Sequence, residues 1–263
     1  MVESTRARPA AGYVGGKKQL AGRLAKRIAA IDHEVYAEAF VGMGGVFFRR
    51  SAPAKVEVIN DRSRDVATFF RILQNHYQAF MDMLRWQLTS RDEFERLNGM
   101  DPERLTDLQR AARFLYLQRL SFGGKVAGRT FGVDPRGPGR FNVDRLAPLL
   151  AEAHERLAGV WIECLDWPDF LARWDRPQTL FFLDPPYYGT EHYYGRGLFE
   201  RSDYDRLSAA LKGLRGSFVL TLNDHPEVRR IFRGFRMETA AVTYTIGSGN
   251  TTRAGELIIS TDR

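Results

Sequence analysis

Thr179-Leu180-Phe181-Phe182-Leu183 runs directly into Asp184-Pro185-Pro186-Tyr187. Apolar residues in succession, without polar alternation, predict a strand buried on both faces, as in the centre of a parallel sheet. The acid and two prolines end it, because proline cannot donate to a sheet ladder. Outward from this strand the same pattern repeats. Residues 35–40 predict a short strand that runs into Gly42-Met43-Gly44-Gly45, and residues 56–60 predict a second that ends at Asp61. Residues 161–165 and 218–222 add two more, the latter leading into a helix opened by Pro226. Leu20, Leu24 and Ile28 recur every four residues, the period of a helix with one apolar face. Strands alternating with helices predict a three-layer α/β domain with a mostly parallel sheet, whose ligand sites lie at the carboxyl ends of the strands. Gly42 to Gly45, Asp61 and Asp184 all fall at such ends.

Residues 66–157 read differently. They are mainly helical, with Leu108, Ala111 and Leu115 on one face of a segment opened by Thr106. Residues 122–142 interrupt them with six glycines and two prolines, a composition that predicts an exposed loop or hairpin and no contribution to a packed core. Residues 241–246 and 256–261 alternate around a Gly/Asn/Thr turn and predict a terminal antiparallel pair. The expected organisation is a discontinuous catalytic domain, 1–70 and 158–263, carrying an inserted recognition domain, 71–157.

The totals agree with one large folded unit. A chain of 263 residues can build one core with an insertion. No apolar run approaches the roughly 18 residues of a membrane span, and the absence of a secretory apolar region makes the cytoplasm the expected compartment. A single cysteine, Cys164, excludes an internal disulfide, and the five histidines show no zinc-binding spacing, so no metal is expected. The formal charge of +7 favours a polyanionic partner. Lys125, Arg129, Arg136 and Arg140 concentrate basic charge in the glycine-rich loop, where they contact nucleic acid or simply keep the loop soluble.

Chemistry enters at the strand ends. Glycines after a first strand let the backbone approach a ligand, and a carboxylate about 20 residues later can accept hydrogen bonds from ribose hydroxyls. Gly42, Gly44 and Asp61 fit that spacing, but Phe47 stands where a dinucleotide fingerprint needs its third glycine. A nucleotide-like cofactor without a pyrophosphate, such as S-adenosylmethionine, fits better. Asp184-Pro185-Pro186-Tyr187 suits methylation of an amine conjugated to an aromatic base. Hydrogen bonds from the amine to the Asp184 carboxylate and the Pro185 carbonyl would favour a pyramidal nitrogen and stabilise its developing positive charge. Pro185 and Pro186 fix the backbone, and Tyr187 offers a face for a base removed from the stack.

These blocks resemble the Dam-type (alpha-class) DNA adenine-N6 methyltransferases. Gly12-Tyr13-Val14-Gly15-Gly16-Lys17 is similar to the family's N-terminal motif, and Glu38-Ala39-Phe40-Val41-Gly42-Met43-Gly44-Gly45-Val46-Phe47 to its glycine loop. Asn60-Asp61 looks like its ribose acid, Phe114-Leu115-Tyr116-Leu117-Gln118-Arg119 and Arg140-Phe141-Asn142 like its recognition region, and Glu256-Leu257-Ile258-Ile259 like its last strand. Ala39 departs from the proline common in the glycine loop, and the loop 128–139 is unusually rich in glycine and proline.

The resemblance implies a Rossmann-like methyltransferase domain that uses S-adenosylmethionine, held by Tyr13, Lys17, Phe40, Gly42, Gly44, Asp61 and Asp184. It implies catalysis by residues Asp184, Pro185, Pro186 and Tyr187, and DNA contact by Phe122, Lys125, Arg129, Arg136, Arg140 and Asn142. Phe122 is expected either as a wedge in the base stack or as a core residue closing the preceding helix. Duplex DNA is the expected partner of a prokaryotic or phage-encoded monomer, with a cognate restriction endonuclease as a further one. Methylation of cytosine N4 or of RNA adenine, and a silent DNA-binding relative, are the alternatives. Asn223-Asp224-His225 reads as a turn before a proline-started helix.

Overall fold

The computed structural model describes residues 7–13, 15–17, 19–133, 136–194, 197–245 and 251–261. Val14 of the N-terminal motif, Asp134 and Pro135 of the basic loop, Ile246 and the turn residues 247–250 lie outside them. Seven strands form one sheet: β1 (Val35–Glu38), β2 (Val56–Asn60), β3 (Trp161–Glu163), β4 (Thr179–Leu183), β5 (Ser217–Asn223), β6 (Arg236–Thr245) and β7 (Thr251–Ser260). Their order is β3-β2-β1-β4-β5-β7-β6. Neighbours among the first five are parallel, and β7 is antiparallel to both β5 and β6. The strands expected at 35–40 and 161–165 end two residues early. The terminal hairpin is longer than alternation suggested, with paired backbone from Arg236↔Ser260 to Thr245↔Thr251.

The helices among the described residues are α1 (Ala21–Ala29), α2 (Arg64–Asn75), α3 (Tyr77–Leu84), α4 (Arg91–Gly99), α5 (Asp107–Leu120), α6 (Val143–Arg156), α7 (Trp167–Trp174), α8 (Asp203–Lys212) and α9 (Pro226–Ile231). The two-residue period of a strand decides how the layers form. Tyr36, Ile59, Leu180, Phe182 and Val219 pack into a core with Leu24 and Ile28 of α1 and Phe69 of α2. Their chain neighbours Ala37, Val58, Phe181, Leu183 and Phe218 pack on the other face with Phe170 of α7, Leu207 of α8 and Val228 of α9. β4 is buried at all five positions because it serves both cores. The result is a three-layer α/β fold with a mostly parallel sheet.

Helices α3 to α6 form the insertion, which packs on α2. Phe69 meets Phe80 of α3 at 6.0 Å between ring centroids and Phe114 of α5 at 5.7 Å. Residue 70 lies within α2, and α3 to α6 share one core with α1 and α2. Thr106 and Gln109 form the reciprocal cap that starts α5.

The glycine-rich loop is not the coreless segment that its composition predicts. Phe141 is buried against Tyr116 at 4.8 Å, and Phe131 meets Phe94 edge-on at 5.4 Å. An antiparallel bridge joins Ser121 to Phe131. Arg140 Nη2 donates to the carbonyls of Leu120 and Gly132, both within 2.9 Å. A Cβ at Gly132 would stand 1.9 Å from that nitrogen, so glycine here serves close approach as well as flexibility.

Candidate active site

The strand order reverses between β1 and β4, which places a crevice at their carboxyl ends. One wall is the glycine loop after β1. Gly42 has φ +51°, and a Cβ there would press on the Tyr13 ring at 3.0 Å, so both backbone and packing require glycine. Gly44 lies against Phe48, whose ring a Cβ would meet at 2.6 Å. Asp61, just past β2, accepts from the Gly42 N–H and the Ser63 N–H, each at 2.9 Å. Burial pushes its carboxyl up to about 6, against the lowering effect of those two N–H groups. Asn60 fixes the surroundings by donating to the carbonyls of Ala39 and Leu165 and accepting from the Leu165 N–H.

The crevice measures about 470 Å³, within the range of small-molecule sites. Tyr13, Lys17, Phe40, Gly42, Asp61, Asp184 and Pro186 line it together, although they come from four separate stretches of sequence. Gly44, Pro185 and Tyr187 are not among the lining residues.

The deepest chemistry gathers around Lys17. Its ammonium lies 2.6 Å from Asp184 Oδ1 and 3.1 Å from Glu256 Oε1, and it donates to the Tyr187 hydroxyl at 2.7 Å and the Gly15 carbonyl at 3.1 Å. Three N–H donors facing four acceptors are fully committed within the protein. The Tyr187 hydroxyl in turn donates to Glu256, and Thr221 donates to Asp184 Oδ1 at 2.8 Å. Burial alone would lower the lysine, but the two carboxylates outweigh it and raise it. Asp184 is pushed up to about 6 by burial and by Glu256, with Lys17 opposing. Glu38 on β1, bonded to the Tyr36 hydroxyl at 2.6 Å, is raised by burial to about 8.

The Asp-Pro-Pro-Tyr turn is held from outside. Tyr204 of α8 donates to the Pro186 carbonyl at 2.9 Å. Asn223, at the end of β5, accepts from the Tyr188 N–H and donates to the Tyr188 carbonyl. His225 caps α9, as a turn before a proline-started helix requires, and its ring lies 4.5 Å from Tyr188. The turn reading of residues 223–225 thus holds for His225 but omits the clamp made by Asn223. Sequence reasoning also left Glu38, Glu256, Arg119, Phe199 and Thr221 without site roles. Glu38 and Glu256 did carry a signal, a carboxylate adjoining the apolar residues of a buried strand.

The loop residues expected at DNA divide into two groups. Lys125, Arg136 and Asn142 are exposed, and Phe122 is 51% exposed, which rules out its closing the core. Asn142 also caps α6 by accepting from the Arg145 N–H. Arg129 and Arg140 are half-buried, and Arg140 organises the loop backbone. Among the described residues no cluster of His, Cys, Asp and Glu could hold a metal ion, and no helix is long and apolar enough to cross a membrane.

Three known proteins resemble the chain along most of its length. It is 22% identical over 230 residues to the type II methyltransferase M.CviBI of Paramecium bursaria Chlorella virus NC1A, covering 87% of each. It is 24% identical over 264 residues to the type II methyltransferase M1.LlaDCHI of Lactococcus lactis subsp. cremoris, covering 94% of this chain and 92% of the other. It also matches the DNA N-6-adenine-methyltransferase of Escherichia phage P1 at 26% identity, over 82% of this chain but 30% of that protein. Residues 13–246 match a single family description, and the chain belongs to the D12 class N6 adenine-specific DNA methyltransferases.

Proposed function

We propose that the protein transfers a methyl group from S-adenosylmethionine to the exocyclic N6 amine of adenine in duplex DNA. The observation that carries this reading is the crevice itself, which Asp61, the glycine loop, Asp184 and Pro186 line together. The lining fits the cofactor: a desolvated carboxylate for hydroxyls, a glycine approached to contact distance, and the Tyr13 and Phe40 rings for an adenine-like face. When bound there the cofactor supplies an electrophilic methyl group.

The chain's own residues do the rest. Asp184 Oδ1 is occupied by Lys17 and Thr221, which leaves Oδ2 to accept from the substrate amine beside the Pro185 carbonyl. Acceptors fixed in advance around a developing positive charge lower the barrier without reorganising. The Tyr187 hydroxyl is tied to Lys17 and Glu256, so its ring is held in place as a stacking surface for the base. Such a base is reachable only after leaving the duplex. The insertion is the recognition unit, with Phe122 as its exposed wedge and Lys125 and Arg136 at phosphates. Arg140 and Asn142 shape the loop that presents them.

The test is to incubate purified protein with unmodified duplex DNA and isotope-labelled S-adenosylmethionine, then to analyse the nucleosides by mass spectrometry. Label in N6-methyldeoxyadenosine is expected. Label in N4-methyldeoxycytidine, transfer to RNA alone, or binding without transfer would each overturn the reading.

A further inference from the structure

We infer that Glu256 is a positioning residue for methyl transfer: through the ammonium it shares with Asp184, it binds the acceptor carboxylate and the Tyr187 ring into one buried unit and governs the acceptor's ionisation. The inference rests on the reading of Asp184 as the amine acceptor. Glu256 lies on β7 opposite Asn223 of β5 and is 2% exposed. A carboxylate in that position is costly unless it is paired and hydrogen-bonded, and sheet pairing of β5 with β7 needs only backbone. Its side-chain partners are site residues, Lys17 at 3.1 Å and the Tyr187 hydroxyl.

The charges explain what the arrangement does. A lone lysine beside Asp184 would neutralise the acceptor and weaken its pull on a developing cation. With Glu256 on the same ammonium, the trio carries a net negative charge when both acids are ionised. The groups facing Asp184 are Lys17 from the N-terminal loop, Glu256 from β7, Thr221 from β5 and, at longer range, Glu38 from β1. Tyr187, on the same turn, reaches it through Lys17. Of these, Glu256 opposes the lysine most directly, adding to the displacement of Asp184 to about 6 that burial chiefly causes.

The decisive variant is Glu256→Gln, which keeps the shape and an acceptor oxygen but removes the charge. Carboxyl-carbon NMR of the protein without cofactor, with Asp184 assigned through Asp184→Asn, reads the ionisation directly. The Asp184 midpoint should fall by about one pH unit, the size expected when a close like charge is lost. The acid limb of the single-turnover rate should move with it, and the plateau rate should fall roughly tenfold. Glu256→Asp keeps the charge and should leave the midpoint near its parental value even if the rate drops. Should Glu256→Gln fail to fold, the parent spectrum decides, because coupled acids show shared, two-step titrations. An unmoved midpoint and limb in Glu256→Gln, or independent single-step curves in the parent, would overturn the inference. A parent that methylates no DNA would instead sink the proposed function, while the NMR midpoints would still decide the link between the two acids.

Discussion

Replacing Lys17 by Met should destabilise the protein far more than removing either acid that it serves. The ammonium is 5% exposed and separates two carboxylates, Asp184 at 2.6 Å and Glu256 at 3.1 Å. Without it both acids remain in a desolvated pocket with no counter-ion, a situation that costs about 3–5 kcal/mol for a broken buried pair. That is a large part of the roughly 5–15 kcal/mol that holds a domain together. Asp184→Asn leaves the Lys17–Glu256 pair electrically balanced and should cost only about 1 kcal/mol, the worth of an ordinary hydrogen bond. The sign of the pH dependence follows from the raised Asp184 carboxyl. A buried acid with a raised folded value favours the fold below its unfolded value and loses that contribution as pH rises through the folded one. The Lys17→Met deficit should therefore be greatest near about pH 8 and shrink toward about pH 5, as the orphaned Asp184 takes up a proton. Urea denaturation at both pH values measures it, with Lys17→Met/Asp184→Asn as the partial rescue. A deficit below about 1 kcal/mol, or one that does not change with pH, would refute the claim that the lysine holds two ionised acids together.

Asp184→Ala should remain folded and bind DNA, while single-turnover transfer with both substrates saturating falls on the order of a hundred- to a thousand-fold; a rate within a few-fold of the parent would remove Asp184 as the acceptor. Cofactor affinity, measured by calorimetry, should be constant above neutrality and fall about tenfold per pH unit below about 6, because hydroxyl donors need the ionised Asp61 carboxylate. Asp61→Ala should abolish that dependence and weaken binding by about 1.5–3 kcal/mol. In the loop, Lys125→Gln with Arg136→Gln should flatten the salt dependence of DNA binding by about 0.9 per lost phosphate contact. Arg140→Gln should instead lower the melting temperature, since its guanidinium holds the Leu120 and Gly132 carbonyls.

The sheet was legible because its evidence is local. An apolar run ending in Asp-Pro-Pro identifies a central strand wherever its neighbours lie, and β4 proved buried at every position. The crevice was legible for the related reason that parallel strands bring their carboxyl ends to one edge. What escaped was pairing at a distance. Lys17 and Tyr187 are 170 residues apart in sequence, and nothing near either announces that one ammonium serves both the turn and Glu256. The loop 122–142 misled for a different reason: composition reports flexibility, whereas Gly132 is there to let Arg140 pass and Gly139 to let Thr89 approach. A glycine chosen for close contact looks the same in sequence as one chosen for freedom.

That loop also ties the crevice and the helices α3 to α6 into one continuous body. Gln118, near the end of α5, bridges the junction, one amide hydrogen going to the Gly12 carbonyl at 2.9 Å and the other to the Gly124 carbonyl at 2.7 Å. Gly124 lies so close to the N-terminal loop that a Cβ would stand 3.1 Å from the Gly12 carbonyl carbon. Arg119 repeats the arrangement, donating to the Ala10 carbonyl and to the Arg140 carbonyl while also lining the crevice. The backbone that carries Tyr13 onto Gly42 is therefore built against the backbone that carries Phe122 and Lys125. A buried hydrogen-bonded amide is expensive to break, so these two loops keep a fixed spacing. Fixed spacing is what the proposed transfer needs, because on that reading methyl donor and target base arrive on different ligands and only the protein can set the distance between them.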